Sequence, residues 1–332
     1  MNYYSILKKQ IFKVGNFSIV PIRFEDRISI MNWRNEQMFH LRQNKQLTLE
    51  DQNNYFENTV KSLFNQNQPN QLLFSFLKEG VCIGYGGLVH INWIDKNAEI
   101  SFIMNTSLEE NHFEEYWGIY LSLIQQLAFE ELRLHKLYTY AFDLRPNLYP
   151  VLENSGFQVD ARLHEHCFFQ GEFQDVIIHR KTENEYFSMY KATIVDANIL
   201  FEWTNDLLVR ENSFNIERIE WENHLHWFEN KLNSDSQILI LQTPTQKIGM
   251  IRFDVFENHY LLNYSISKEF RGKGFGRMII SLGISTLAKL CDTNKEIHAY
   301  VKESNLTSLQ IFRNLKFKES FIDNNYHYIH KL

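Results

Sequence analysis

A chain of 332 residues exceeds what one hydrophobic core comfortably organises, so two domains are expected. Apolar residues at 44% and aromatic residues at 15% supply core material for both, which excludes a disordered polyelectrolyte. The formal charge of −6 argues against a nucleic-acid partner, because phosphate neutralisation needs a basic surface. Cys82, Cys167 and Cys291 are widely spaced and form no CxxC pair, so neither a disulfide framework nor a metal site is expected. The first residues lack the apolar run of a signal peptide, and no stretch of roughly 18 apolar residues occurs. A cytoplasmic protein without a membrane segment is the expectation.

Taken in chain order, the two halves carry the same features in the same succession, which signals an internal duplication. Trp33-Arg34-Asn35 in a helical stretch recurs as Trp203-Thr204-Asn205, and Tyr55-Phe56 recurs as Trp227-Phe228. The strand containing Ile83-Gly84-Tyr85-Gly86-Gly87 matches Ile248-Gly249-Met250-Ile251-Arg252. Next, residues 98–103 align with 261–266, so that Glu99 corresponds to Leu262. Phe157 and Phe317 follow the last helices. The boundary falls near residues 181–187, giving domains 1–183 and 184–332.

In the second half, residues 238–242 and 247–254 read as a hairpin, with further strands at 261–267 and 296–301. Amphipathic helices are predicted at 277–292 and 305–315. Strands alternating with helices point to an α/β (α+β) layer architecture.

Between a strand and a helix stands Arg271-Gly272-Lys273-Gly274-Phe275-Gly276, followed by Arg277. Glycines let a ligand approach the main chain, the helix start offers unpaired amides, and three basic side chains add charge. The loop is suited to a pyrophosphate. It is neither a Walker A motif nor the GxGxxG of a dinucleotide fold. The corresponding segment of the first half, residues 107–115, is free of glycine and carries Glu109, Glu110, Glu114 and Glu115, so a loop that repels pyrophosphate is expected there.

The stretch from Tyr264 to Arg277 resembles the coenzyme A pyrophosphate motif of the GNAT acetyltransferase superfamily, Q/R-x-x-G-x-G/A. The resemblance implies two tandem GNAT-like domains, each a central mixed sheet flanked by helices, with acetyl-CoA as cofactor. It places Ile266, Arg271, Gly272, Lys273, Gly274, Phe275, Gly276 and Arg277 at the cofactor, with the backbone amide near Ile266 holding the acetyl oxygen. Asn305 and Ser308 fall where the superfamily contacts the pantetheine arm. Where the family has Gly before the last Phe, this chain has Lys316, which implies a different turn.

Residues 203–228, with the strand around Arg252, look like acetyltransferases of nucleotide-linked amino sugars in pseudaminic-acid-type pathways. That likeness implies an aminodeoxysugar nucleotide as acceptor in surface polysaccharide synthesis, with Arg210, Asn212 and Arg252 on the substrate. It offers His224 as general base, with Glu222 and Glu211 as alternates. Tyr264 or Tyr300 could protonate the departing thiolate, although each reads first as a strand-packing aromatic, and water could do it instead. Relatives place a Tyr where Phe312 stands. The first half resembles ribosomal-protein N-terminal acetyltransferases through Asn147 and Leu152-Glu153-Asn154-Ser155-Gly156-Phe157. Acetylation of a peptide amine, or acetyl-CoA binding without turnover, are the alternative functions.

Overall fold

Alternating strands and amphipathic helices sort the chain into two units, Met1–Tyr186 and Phe187–Leu332, each built on its own sheet. The computed structural model describes residues 3–41, 43–291 and 295–332. The first unit runs β1 (Phe12–Val14), β2 (Phe17–Pro21), α1 (Arg27–Glu36), α2 (Leu49–Asn54), α3 (Lys61–Leu63), β3 (Leu72–Lys78), β4 (Val81–Asn92) and β5 (Asn97–Met104). It continues with α4 (Thr106–Gln125), β6 (Lys136–Phe142), α5 (Leu148–Asn154), β7 (Gln158–Phe169), β8 (Glu172–Thr182) and α6 (Glu183–Tyr186). The second unit runs β9 (Ser188–Lys191), α7 (Ala197–Thr204), α8 (Leu207–Asn212), α9 (Trp221–Leu232), β10 (Gln237–Gln242), β11 (Lys247–Val255) and β12 (His259–Ile266). Then come α10 (Phe275–Leu290), β13 (Glu296–Lys302), α11 (Leu306–Asn314), β14 (Lys318–Ile322) and β15 (Asn325–Lys331).

The first sheet has the order β1-β2-β3-β4-β5-β6-β8-β7 and the second β14-β15-β13-β12-β11-β10-β9. Each sheet contains one parallel pair, β5 with β6 and β12 with β13, and a crossover helix, α4 or α10, makes each parallel return possible. Both units are mixed sheets flanked by helices, the predicted α/β class.

The parallel pairs are short. β5 pairs with β6 only over Asn97–Glu99, and β12 with β13 only over His259–Leu261. Beyond those residues the strands part, so each sheet carries a fork at its centre. The fork also fixes the internal register, because Asn97 and His259 both begin the parallel pairing. Glu99 therefore corresponds to Leu261, not Leu262, and Phe102 to Tyr264. The antiparallel partners agree: Gly86 faces Phe102 and Ile251 faces Tyr264. A one-residue slip moves a side chain to the opposite face of a strand, so this correction decides which residues share the fork.

Most predicted elements lie within two residues of their observed bounds. Helix α10 begins at Phe275, because Gly274 rather than Gly276 is its N-cap, and ends at Leu290; Asp292 lies outside the described residues. The expected acidic loop at 107–115 is instead helix. Asn105 caps α4 directly after β5, its Oδ1 accepting from the Ser107 amide at 3.1 Å.

The turn before Phe317 is likewise not different from its counterpart. Lys316 adopts φ 59° where Gly156 has φ 83°, and the closing bonds match. Gly156 N donates to Glu153 O at 2.8 Å and Phe157 N to Leu152 O at 2.9 Å; Lys316 N donates to Arg313 O at 2.9 Å and Phe317 N to Phe312 O at 3.2 Å. The lysine takes a left-handed conformation that favours glycine. Lys316→Gly is expected to stabilise the second unit by about 1 kcal/mol, measured by denaturant unfolding. Among the described residues no helix is long and apolar enough to cross a membrane.

Candidate functional site

After β12 the chain turns through Ser267 to Gly274 and enters α10. Phe270 and Phe275 are buried beneath this turn, their ring centroids 5.4 Å apart, and leave Gly272 and Gly274 on the surface. Gly272 has φ 71° and Gly274 φ 82°, conformations that side chains disfavour. A Cβ built on either would meet nothing within 4 Å, so the main chain is open to an approaching group. The amides of Phe275, Gly276 and Arg277 fall in the first turn of α10, where no intrahelical acceptor exists, and the helix dipole favours an anion there. These features fit a pyrophosphate.

Arg271 points elsewhere. Its Nε donates to Ile266 O at 2.9 Å and its Nη2 to Asp206 Oδ1 at 2.7 Å. Arg271 thus shapes the turn instead of facing a ligand, while Lys273 is half-buried and Arg277 exposed at the turn itself.

The Ser267 amide donates to Ile248 O at 2.9 Å, and ladder alternation then turns the backbone groups of Tyr264 and Ile266 away from β11. They face the fork that β13 has left. The Tyr264 hydroxyl meets Ser308 Oγ at 2.9 Å and lies 3.8 Å from the Cβ position of Gly276. Asn305 caps α11, accepting from the Ser308 amide at 3.1 Å. Tyr264, Gly276, Asn305 and Ser308 therefore meet between the starts of α10 and α11. Burial raises the Tyr264 phenol above its ordinary pKa, against the lowering effect of the Ser308 bond, so it holds its proton. Its ring lies 6.2 Å from that of Phe312.

Five residues expected at catalysis or at the substrate lie on α8, α9 and β11. His224 is 1% exposed and stacks on Phe228 at 6.0 Å, with Phe201, Trp221 and Trp227 around it. Its Nε2 is bonded to Ala197 O at 3.2 Å, and burial lowers its pKa below the usual 6.5. An imidazole sealed in the core cannot take a proton from a bound amine, so His224 is a packing residue, not a general base. Glu222 is exposed in the first turn of α9, suited to the positive end of the helix. Arg210 spans its own loop, donating to the carbonyls of Asn215 and Glu217 at 3.2 and 3.4 Å and to Ser213 Oγ at 3.0 Å. Asn212 donates to Leu208 O at 2.8 Å. Arg252 bonds Asp254 at 2.8 Å and lies 4.9 Å over Trp227. Arg210, Asn212 and Arg252 are thus each bonded within the chain.

His224→Gln is accordingly expected to leave turnover within a few-fold of normal while costing roughly 1–3 kcal/mol of stability. Because the folded-state pKa is depressed, the unfolded chain takes the proton first as pH falls below about 6.5. The wild-type protein loses stability there, and the Gln variant is expected to lose less, as unfolding titrations at pH 5 to 7.5 will report.

Sequence reasoning missed two residues that frame the site. Asp206 both binds Arg271 and caps α8, accepting from the Val209 amide at 3.3 Å. At the other end of α8, Lys302 Nζ donates to Glu211 O at 2.9 Å, tying that end to the tip of β13. Asp206 was legible as an Asp just ahead of a helix; Lys302 left no local signal. Among the described residues no group of three or more His, Cys, Asp or Glu is placed to hold a metal ion.

An uncharacterized protein of Methanocaldococcus jannaschii is 26% identical over 159 residues, covering 46% of this chain and 30% of the relative, so the chain spans under a third of that protein's length. A spermidine N-acetyltransferase from Vibrio cholerae, solved with CoA and spermine, superposes with a TM-score of 0.45 at 20% identity, over 52% of this chain and 98% of that one. A domain from Methanocaldococcus jannaschii superposes with a TM-score of 0.39 at 22% identity, over 44% of this chain and 98% of that one. Two distinct acetyltransferase (GNAT) domain families match, one over residues 19–178 and the other over 189–318, one match on each sheet. The two matches together take in most of the sequence, and the chain belongs to the GNAT acetyltransferases, carrying two of their domains in tandem.

Proposed function

We propose that the second unit binds acetyl-CoA at the Gly272–Gly274 turn and passes the acetyl group to the amine of a small acceptor. The observation that carries this reading is an open, doubly left-handed glycine turn at the start of α10, directly beside the fork of β12 and β13. Acetyl-CoA supplies the thioester. Lys273, Arg277 and the first-turn amides of α10 hold its phosphates, while Asn305 and Ser308 border the path of its arm. An amide of Tyr264 or Ile266 faces the fork, where it favours negative charge on an acyl oxygen. Tyr264 holds a proton at Oη for the departing sulfur. Bringing amine and thioester together does much of the remaining work, and water takes the proton of the amine.

For the acceptor we favour a nucleotide-linked aminodeoxysugar, on the likeness of residues 203–228 to enzymes of that class. The full chain should be incubated with labelled acetyl-CoA and, in parallel, a UDP-linked amino sugar, spermidine and an α-amino peptide. Label on the sugar supports the assignment. Label on spermidine or the peptide alone reassigns the acceptor, and label on none removes the transferase reading.

A further inference from the structure

The floor of the second unit's fork is laid in histidine. β12 and β13 pair over His259↔Glu296, Tyr260↔Ile297 and Leu261↔His298, the shortest pairing in their sheet, and β13 then runs against β15 with Tyr300 opposite His327. On one face of these strands His259 stacks on His298 with ring centroids 4.2 Å apart, and His298 Nδ1 meets His327 Nε2 at 3.2 Å. Phe256 and Tyr300 close the row, stacked on His259 at 5.0 Å and on His327 at 4.5 Å. Three imidazoles from three strands therefore touch in series at the join that holds the two branches of the fork together.

The bonds fix where the protons sit. Glu296 Oε2 lies 3.3 Å from His298 Nε2, and an ionised carboxylate only accepts, so that nitrogen carries its hydrogen. His298 Nδ1 is then a lone pair that takes the Nε2 hydrogen of His327, whose Nδ1 lies 3.4 Å from Ser320 Oγ. The series is complete with every ring neutral. A further proton on His298 has only Nδ1 to occupy, and there it sets N–H against N–H. A proton on His259 lays a cation against the His298 ring. Burial and the neighbouring rings already hold His259 and His327 below the usual pKa of 6.5. The other charges on this face are cations or are paired. Lys295 bonds Phe256 O at 3.2 Å, Lys331 stands across from Glu296, and Lys318 of β14 faces Ile329, the partner of His298. Asp254 of β11, opposite Leu261, is held by Lys231 of α9 at 2.6 Å and by Arg252 at 2.8 Å.

We propose that this row is an acid-sensitive latch: neutral, it holds β12 to β13; protonated, it parts them at the floor of the fork and weakens the grip on acetyl-CoA. The closed row binds fewer protons than strands held apart, where each ring takes its own, so acid shifts the population toward the open form. The effect reaches the cofactor because β12 leads into the Gly272–Gly274 turn and β13 into α11, and the Tyr264 hydroxyl spans the two to Ser308 at 2.9 Å. Parting the strands pulls that contact, and the two sides of the cofactor path, away from each other. This last link rests on the acetyl-CoA site proposed above; the latch itself does not.

Hydrogen exchange and acetyl-CoA titration of the full chain at pH 7.5 and 5.5 test it, with His298→Gln and His259→Gln beside the wild type. In the wild type, the paired amides of β12 and β13 should lose at least tenfold in protection at pH 5.5, corrected for intrinsic exchange, while β10 and β11 keep theirs. The Kd for acetyl-CoA should rise at least tenfold over the same step. In His298→Gln both changes should fall below threefold, and in His259→Gln both should be at least threefold smaller than in the wild type. Protection retained at pH 5.5 in the wild type overturns the latch, as does the same loss in both variants or a loss with unchanged Kd. Absence of acetyl-CoA binding at pH 7.5 would instead remove the cofactor site, and hydrogen exchange alone then decides the latch. If His298→Gln does not fold, His259→Gln decides.

Discussion

Gly274→Val is expected to raise the Kd for acetyl-CoA about a hundredfold, a loss of about 2.7 kcal/mol. Gly274 sits at φ 82° as the N-cap of α10, a conformation that costs a β-branched residue on the order of 1–3 kcal/mol. The valine would either hold that strain or rotate the turn, and rotation carries the first-turn amides away from the phosphates they must meet. A side chain would also occupy space that is now open. The fold should survive, because the added Cβ itself meets no neighbour within 4 Å. Gly276→Ala should do less, since its Cβ presses on the free end of Ile311, which can rotate. Titration should show one acetyl-CoA per wild-type chain, and an unchanged Kd in folded Gly274→Val would remove the turn from the cofactor site.

Tyr264→Phe should lower kcat about a hundredfold, within the range of positioned proton transfer, while the Kd for acetyl-CoA stays within about twofold. The phenol is the proton donor we propose; it lies between the starts of α10 and α11, and burial raises its pKa, so it is protonated at neutral pH. Phenylalanine preserves the ring that packs near Phe312. Turnover within a few-fold of normal would assign the proton to water. Ser308→Ala separates the two roles of the hydroxyl: it removes the bonded partner of Tyr264 and should cost much less than loss of the phenol.

How much of this was legible in sequence depends on whether the signal was local. The glycine turn was, because residue type, order and the strand and helix on either side all act within a dozen positions. The amide near Ile266 was expected at the acetyl group from the family resemblance, but no fork was expected in the first half, and the register between the halves was one residue off, because Glu99 and Leu262 were aligned by similarity while strand pairing is decided across the sheet. His224 was readable and misread. Trp221, Leu225, Phe228 and Leu232 form one stripe of α9, and position 224 falls on that stripe, so helical periodicity already put the imidazole inside. Arg210 and Arg252 could not be resolved, since whether a guanidinium serves the chain or a substrate depends on carbonyls and carboxylates that only folding brings near. The histidine row of the second unit left no motif at all. It is made by three strands meeting in the sheet, and residues as far apart as His259, His298 and His327 share no local signature.

Helix α8 is held at one end by Asp206 to Arg271 and at the other by Glu211 O to Lys302, and so it shares restraints with both branches of the fork. A helix of six residues is too short to hold its shape in water by itself, so these two side chains keep α8 helical as well as placed, and loss of either would fray the end it holds.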